Sequence, residues 1–437
     1  MYLNKILLLL FFISNLNSKP LEINVTDGKI EPIPIAVTKF NYSDAKEKEL
    51  SNKIFEIIQS NLLNSGLFNS ISNKAFLQDE KEVFVQPLFK DWSLIDANLI
   101  VSGEIRNEKN MITIRLKLWD VYREKLILSK RISNINDKRW RLLAHLVSNM
   151  IYERVTGEQG YFDTKIVYIA EEGSFDRKKK RIAIMDYDGN NHRFLTDGQN
   201  LVLTPRFSPD RKNIVYLSYD NNKPNVYLMD IRSREKKKIG KFQGMSYAPR
   251  FSPKGNKIIF SLTKKGSSNI FVLDLLNNNT SQLTNNKYIN TSPCFSPDSK
   301  NVVFSSDRAG KQNLYIFSMN KRGNPVKRIS FGRGNYATPV WSPRGDYIAF
   351  TKSLGKRFYI GLIKPDGSGE RIISEGYLVE GPSWSPNGRT LTFYKINKRN
   401  NIKESKLYTI DITGNLEKIL STPYEASDPD WGPTIGY

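Results

Sequence analysis

The histidines and cysteines able to carry chemistry are few. The 437-residue chain has one cysteine, Cys294, and two histidines, His145 and His192. A Ser-His-Asp or Cys-His relay needs a histidine to carry its proton, and a structural zinc site needs about four Cys or His ligands. Both would have to draw on these three residues, which stand in unrelated contexts. A nucleophile elbow (G-x-S-x-G), a Walker loop, G-x-G-x-x-G and H-E-x-x-H are all missing from the sequence. Asp186-Tyr187-Asp188-Gly189 begins like a calcium loop but lacks the later ligands, so it reads as a turn. His145 reads as a surface or capping histidine. The expectation is no catalytic residue, no metal site and no cofactor, and one cysteine excludes an intrachain disulfide.

Charge is the next feature able to recruit a partner. The chain carries +22, which suggests nucleic acid, but +19 of it falls on residues 161–437 while residues 21–160 are nearly neutral. The basic runs at 177–181 (RKKKR) and 232–238 (RSREKKK) lie between strand-like segments and read as solvated outer-loop charge. The N-terminus argues further against nucleic acid. Lys5 is followed by eight apolar residues, ILLLLFFI, and a small polar exit, which describes a signal peptide over residues 1–18. Eight residues are well short of the ~20 a spanning helix needs. The mature chain is therefore expected to be exported, with no membrane span.

Residues 19–160 read as a small α+β domain. Residues 33–40 (IPIAVTKF) form a strand. Asp44 and Glu47 offer a capping box ahead of Leu50, Ile54, Ile57, Ile58 and Leu62 at helical spacing, and Gly66 ends that helix. Residues 99–106, 112–118 and 126–132 are strands. A last helix carries Trp140, Leu143, Ala144, Val147 and Ile151 and stops at Gly157.

Residues 161–437 repeat. Pro205-Arg206-Phe207-Ser208-Pro209 recurs as Pro249-Arg250-Phe251-Ser252-Pro253, Pro293-Cys294-Phe295-Ser296-Pro297, Pro339-Val340-Trp341-Ser342-Pro343 and Pro382-Ser383-Trp384-Ser385-Pro386, then as Pro429-Asp430-Trp431-Gly432-Pro433. The leading prolines are 44, 44, 46, 43 and 47 residues apart, the size of a four-stranded propeller blade. Each Ser-Pro begins a tight turn, and the preceding aromatic packs blade on blade. Cys294 occupies the position filled elsewhere by Arg206, Arg250, Val340, Ser383 and Asp430, and that spread reads as packing without chemistry. The first unit opens at residues 165–170 (KIVYIA), which match the strand after the Ser-Pro turn, while the final unit stops just before it. The two fragments therefore complete one blade and close a ring of six.

The segments entering each first strand ring one mouth of such a propeller. They repeat in backbone and differ in side chain, as a binding surface on a regular frame should. They supply the candidate partner-binding residues Thr204, Met245, Tyr247, Ala248, Thr291, Ser292, Thr338 and Glu380.

Together these features resemble the TolB family, the periplasmic component of the Tol-Pal system of Gram-negative bacteria, over nearly the whole chain. The resemblance implies a non-enzymatic periplasmic hub that supports outer-membrane integrity and invagination during cell division. It implies that the lipoprotein Pal binds at the propeller mouth, on Met245, Ala248, Thr291 and Ser292 among others. It also implies that a TolA-like inner-membrane protein engages the mature N-terminus, at Leu21, Glu22, Ile23, Asn24 and Val25. That segment alternates apolar and polar residues and is able to add as a strand to a partner sheet. The chain is expected to act as a monomer within this complex. Two other readings compete: a propeller-type peptidase, for which no α/β-hydrolase segment follows the repeats, and a basic propeller binding an anionic polymer.

Overall fold

The computed structural model describes residues 31–174, 177–221, 223–240, 245–319, 326–399 and 402–434. The signal peptide at 1–18 and the segment Leu21 to Val25 lie outside them.

The N-terminal part runs β1 (Ile33–Val37), α1 (Ala45–Asn64), β2 (Phe68–Ser70), α2 (Glu80–Val85), α3 (Phe89–Ser93), β3 (Leu99–Glu108), β4 (Met111–Asp120), β5 (Lys125–Asn136) and α4 (Trp140–Thr156). Its sheet has the order β2-β1-β3-β4-β5, with β1 parallel to both neighbours and the other pairs antiparallel. Helix α1 starts where the Asp44 carboxylate accepts the Glu47 N–H at 2.8 Å, and the Glu47 carboxylate returns to the Ser43 N–H at 2.6 Å. The first bond satisfies a donor the helix leaves orphaned, and the second ties the residue before the cap to the first turn. Leu50, Ile54, Ile58 and Leu62 then bury against the sheet and α4. Each such side chain contributes about 2 kcal/mol over its exposed state. The opposite sheet face, with Ala36, Ile100 and Trp119, is covered by Val83, Phe89 and Trp92 from α2 and α3.

The rest is a six-bladed propeller of four-stranded antiparallel sheets. The inner strands are Leu201–Phe207, Met245–Phe251, Asn290–Phe295, Asn335–Trp341, Leu378–Trp384 and Glu425–Trp431. Each packs on the next and the last packs on the first. Glu425–Trp431 pairs with Lys165–Glu172 through Ala426 opposite Ala170 and Trp431 opposite Ile166, so the two chain fragments make one blade. Closure leaves no open sheet edge between the first and last blades. At the turns, the hydroxyls of Ser208, Ser252, Ser296 and Ser385 accept the N–H five residues ahead at 2.9–3.1 Å.

The two parts share one hydrophobic core. Tyr152 of α4 meets Tyr161 and Phe162, and Tyr161 meets Tyr187 and Trp431 of the closing blade, with ring centroids 5.6–5.9 Å apart.

His145 departs from its expected place on the surface. It is 3% exposed, its Nδ1 lies 3.0 Å from Asn61 Nδ2, and its ring stands edge-on to Tyr187. The cause is that α4 is covered twice, by α1 and the sheet on one side and by the closing blade on the other. The apolar stripe in the sequence marks only the first of these faces.

Candidate functional site

The entering segments prove to be interior positions of the inner strands rather than loops. Each inner strand slips its register just before its proline. The residue before that proline has a left-handed backbone: φ is 48° at Thr204, 47° at Ala248, 51° at Ser292, 46° at Thr338, 69° at Gly381 and 49° at Asp428. Proline offers no N–H to the ladder, so the strand bulges there and the preceding residue absorbs the extra length. Five of the six lack the freedom of glycine, and Thr204 and Thr338 are β-branched, for which positive φ is a true outlier. Six bulges at one level make a ring around the propeller axis.

The structure brings Thr204, Ala248, Ser292 and Thr338 to this ring, with Tyr247, Thr291 and Glu380 one residue before it. Met245 lies two residues farther out, at the start of its strand. The side chains of Met245 and Tyr247 lie outside the described residues. Thr338 Oγ1 donates to Thr351 Oγ1 at 2.7 Å, whereas Thr204 Oγ1 is buried with no partner among the described residues. Glu380 accepts the Tyr394 hydroxyl at 2.9 Å. Burial, and to a smaller degree the Asp428 charge, push the Glu380 carboxyl above its ordinary value.

Ion pairs stiffen the rim around the ring. Lys178 Nζ bridges Glu171 at 2.9 Å and Glu425 at 2.8 Å, and Lys180 reaches Glu171 at 3.0 Å. Burial opposes ionisation of Glu171, but Ser427, Lys180 and Lys178 together hold its carboxyl below the usual value. Lys352 pairs with Glu370 at 2.7 Å, and the Tyr336 hydroxyl donates to the same carboxylate.

Farther along each inner strand comes the position that varies most across the repeats. The varied residues, read as mere packing, in fact place two guanidinium groups and one carboxylate together. Asp430 accepts the Phe207 N–H at 2.8 Å and the Ser383 hydroxyl at 3.1 Å, with Arg206 and Arg250 nitrogens 3.8 and 3.9 Å away. Cys294 is buried there as a small packed residue, and burial pushes its thiol up.

Comparison with known proteins places this geometry. Residues 152–435 match the TolB beta propeller domain and residues 21–127 the TolB amino-terminal domain. The chain belongs to the TolB family. A Tol-Pal system protein TolB from Paramagnetospirillum magneticum is 46% identical over 417 residues, covering 94% of this chain and 93% of its own. Another from Rickettsia bellii is 44% identical over 437 residues, covering 97% of each. The crystal structure of TolB from Acinetobacter baumannii superposes with a TM-score of 0.82 at 26% identity, covering 92% of this chain and 97% of that one. In this TolB-family chain, no helix of the described residues is long and apolar enough to cross a membrane.

One further cluster of the TolB-like frame has the ligand types for a metal. His145, Asp186 and Asp188 bring ligand atoms within 4.8 Å of one another. Their carboxylates are already committed: Arg141 binds Asp188 at 2.5 Å, while Lys165 and Asn191 bind Asp186. The Asp186-Tyr187-Asp188-Gly189 stretch is a turn, closed by Gly189 N–H to the Asp186 carbonyl at 2.9 Å. With cations supplied by side chains, these groups tie α4 to the closing blade.

Proposed function

We propose that this protein is a non-enzymatic periplasmic hub of the Tol-Pal system. Its bulged ring binds a Pal lipoprotein through Thr204, Met245, Tyr247, Ala248, Thr291, Ser292, Thr338 and Glu380. Its mature N-terminal segment, Leu21 to Val25, engages a TolA-like protein. The role of this arrangement is to support outer-membrane integrity and invagination at division. The observation that carries the reading is the ring of left-handed pre-proline residues. Five non-glycine residues held in a costly conformation at one level mark a surface whose shape the fold over-determines, and such strain gathers at binding sites. Family membership and the names of the relatives add weight.

The test is a pull-down of the mature protein with Pal from the same organism. Met245→Glu and Thr291→Arg are expected to weaken capture, and deletion of residues 19–29 to abolish TolA capture while leaving Pal capture intact. Undiminished Pal binding by both point variants overturns the mouth assignment. Loss of both partners on deletion overturns a separable N-terminal segment.

A further inference from the structure

At the Ser-Pro end of the propeller tunnel lies a cavity of about 370 Å³, within the range for small-molecule sites. Its wall is a ring of aromatics, Phe207, Phe251, Phe295, Trp341, Trp384 and Trp431, with the Ser-Pro prolines at its edge. The charged residues lining it are Arg206, Arg250 and Asp430, two cations against one anion.

The hydrogen-bond accounting is uneven. Asp430 spends one oxygen on the Phe207 N–H and the other on Ser383, and both guanidinium groups stay beyond hydrogen-bond distance of it. Arg206 donates to its neighbour's Pro205 carbonyl at 2.7 Å. Arg250 donates no hydrogen bond to a described residue, although its side chain is only 15% exposed. A guanidinium has five N–H donors in a planar fork, and two such groups on one cavity wall leave donors free to meet a ligand. Burial and the adjacent Arg250 already lower the Arg206 pKa to about 10, the mark of a cation short of counter-charge. Asp428, in the bulged ring above, contributes to the field at Arg206 but does not line the cavity.

We infer that this cavity binds a small organic carboxylate, its charged end forked onto Arg250 and Arg206 and its apolar body against the aromatic ring. One negative charge balances the lining, the fork matches a carboxylate in bidentate geometry, and six aromatic side chains suit an apolar body better than a hydrated inorganic ion. The site lies at the opposite end of the inner strands from the mouth and does not depend on the Pal reading. It sits beside the N-terminal domain, where Asn387 donates to the Gln159 carbonyl at 3.1 Å and Arg344 pairs with Glu158 at 2.9 Å.

The experiment titrates the full mature protein with benzoate, with benzamide as its neutral counterpart and with inorganic phosphate. The fluorescence of Trp341, Trp384 and Trp431 is the reporter, and calorimetry checks stoichiometry. The expected result is saturable one-to-one binding of benzoate at millimolar concentration and no saturation by benzamide. Arg250→Gln weakens benzoate by roughly tenfold or more, the loss of a charge-assisted pair. Asp430→Asn removes the competing charge and tightens binding, so the two variants move in opposite directions and a general loss of folding cannot mimic both. Equal binding of benzamide, an unchanged affinity in Arg250→Gln, or saturation by phosphate alone overturns the inference.

Discussion

Ring closure by the last strand makes Trp431 the residue to perturb. Its indole is 6% exposed and packs edge-on against Tyr161 at 5.7 Å and parallel to Tyr187 at 6.5 Å. Its Nε1–H donates to Thr164 Oγ1 at 2.8 Å and its backbone N–H donates to Ser383 Oγ at 3.0 Å. Trp431→Ala removes the aromatic body and leaves a hole among residues from both domains, for which about 3–5 kcal/mol is the usual cost. Trp431→Phe keeps most of the packing and loses the indole donor, for which about 1 kcal/mol is expected. The assay is urea unfolding followed by far-ultraviolet circular dichroism, reading the midpoint at constant slope. Because the shared core runs from α4 through Tyr161 to Trp431, wild type should unfold in one transition. The alanine variant should show a much lower midpoint, or an early separate loss of the closing blade. A cost for Trp431→Ala below about 0.5 kcal/mol, the range of surface substitutions, would refute closure as the keystone of the fold.

Three more outcomes follow from buried or strained positions. Burial holds the His145 pKa below the ordinary 6.5, opposed by Asp188 and reinforced by Arg141. The unfolded chain therefore takes up a proton first as pH falls; the stability this neutral imidazole contributes is full above 6.5 and lost as pH drops below it. Melting temperatures across that range should fall in wild type and fall less in His145→Gln; parallel curves would remove His145 as the cause. Thr204→Gly should hold or raise the melting temperature, since it relieves roughly 1–2 kcal/mol of left-handed strain and removes an unpartnered buried hydroxyl, against the greater freedom glycine gives the unfolded chain; a marked drop would show the strain to be fictitious. Cys294 lines the tunnel cavity with its thiol pKa raised by burial, so it should react with a small thiol reagent more slowly than a free cysteine, and labelling at the rate of a fully exposed thiol would contradict its packing.

What was legible in the sequence was periodic. The Pro-x-[Phe/Trp]-Ser-Pro repeat, the matching fragments at residues 165–170 and 429–433, and the helical stripe of α1 each encode a contact between near neighbours or identical units. Composition disfavoured His- and Cys-based chemistry for the same local reason, that those residues were scarce. The tertiary structure decided what depends on two distant segments meeting. His145 reads as a surface residue until the closing blade covers the second face of α4. Thr204 and its counterparts read as loop residues because a β-bulge is defined by a partner strand, not by the strand that bulges. The varied position in the repeat looked inert one unit at a time. Only closure of the ring sets Asp430 beside Arg206, 224 residues away in sequence, and turns six unrelated side chains into one charged cavity.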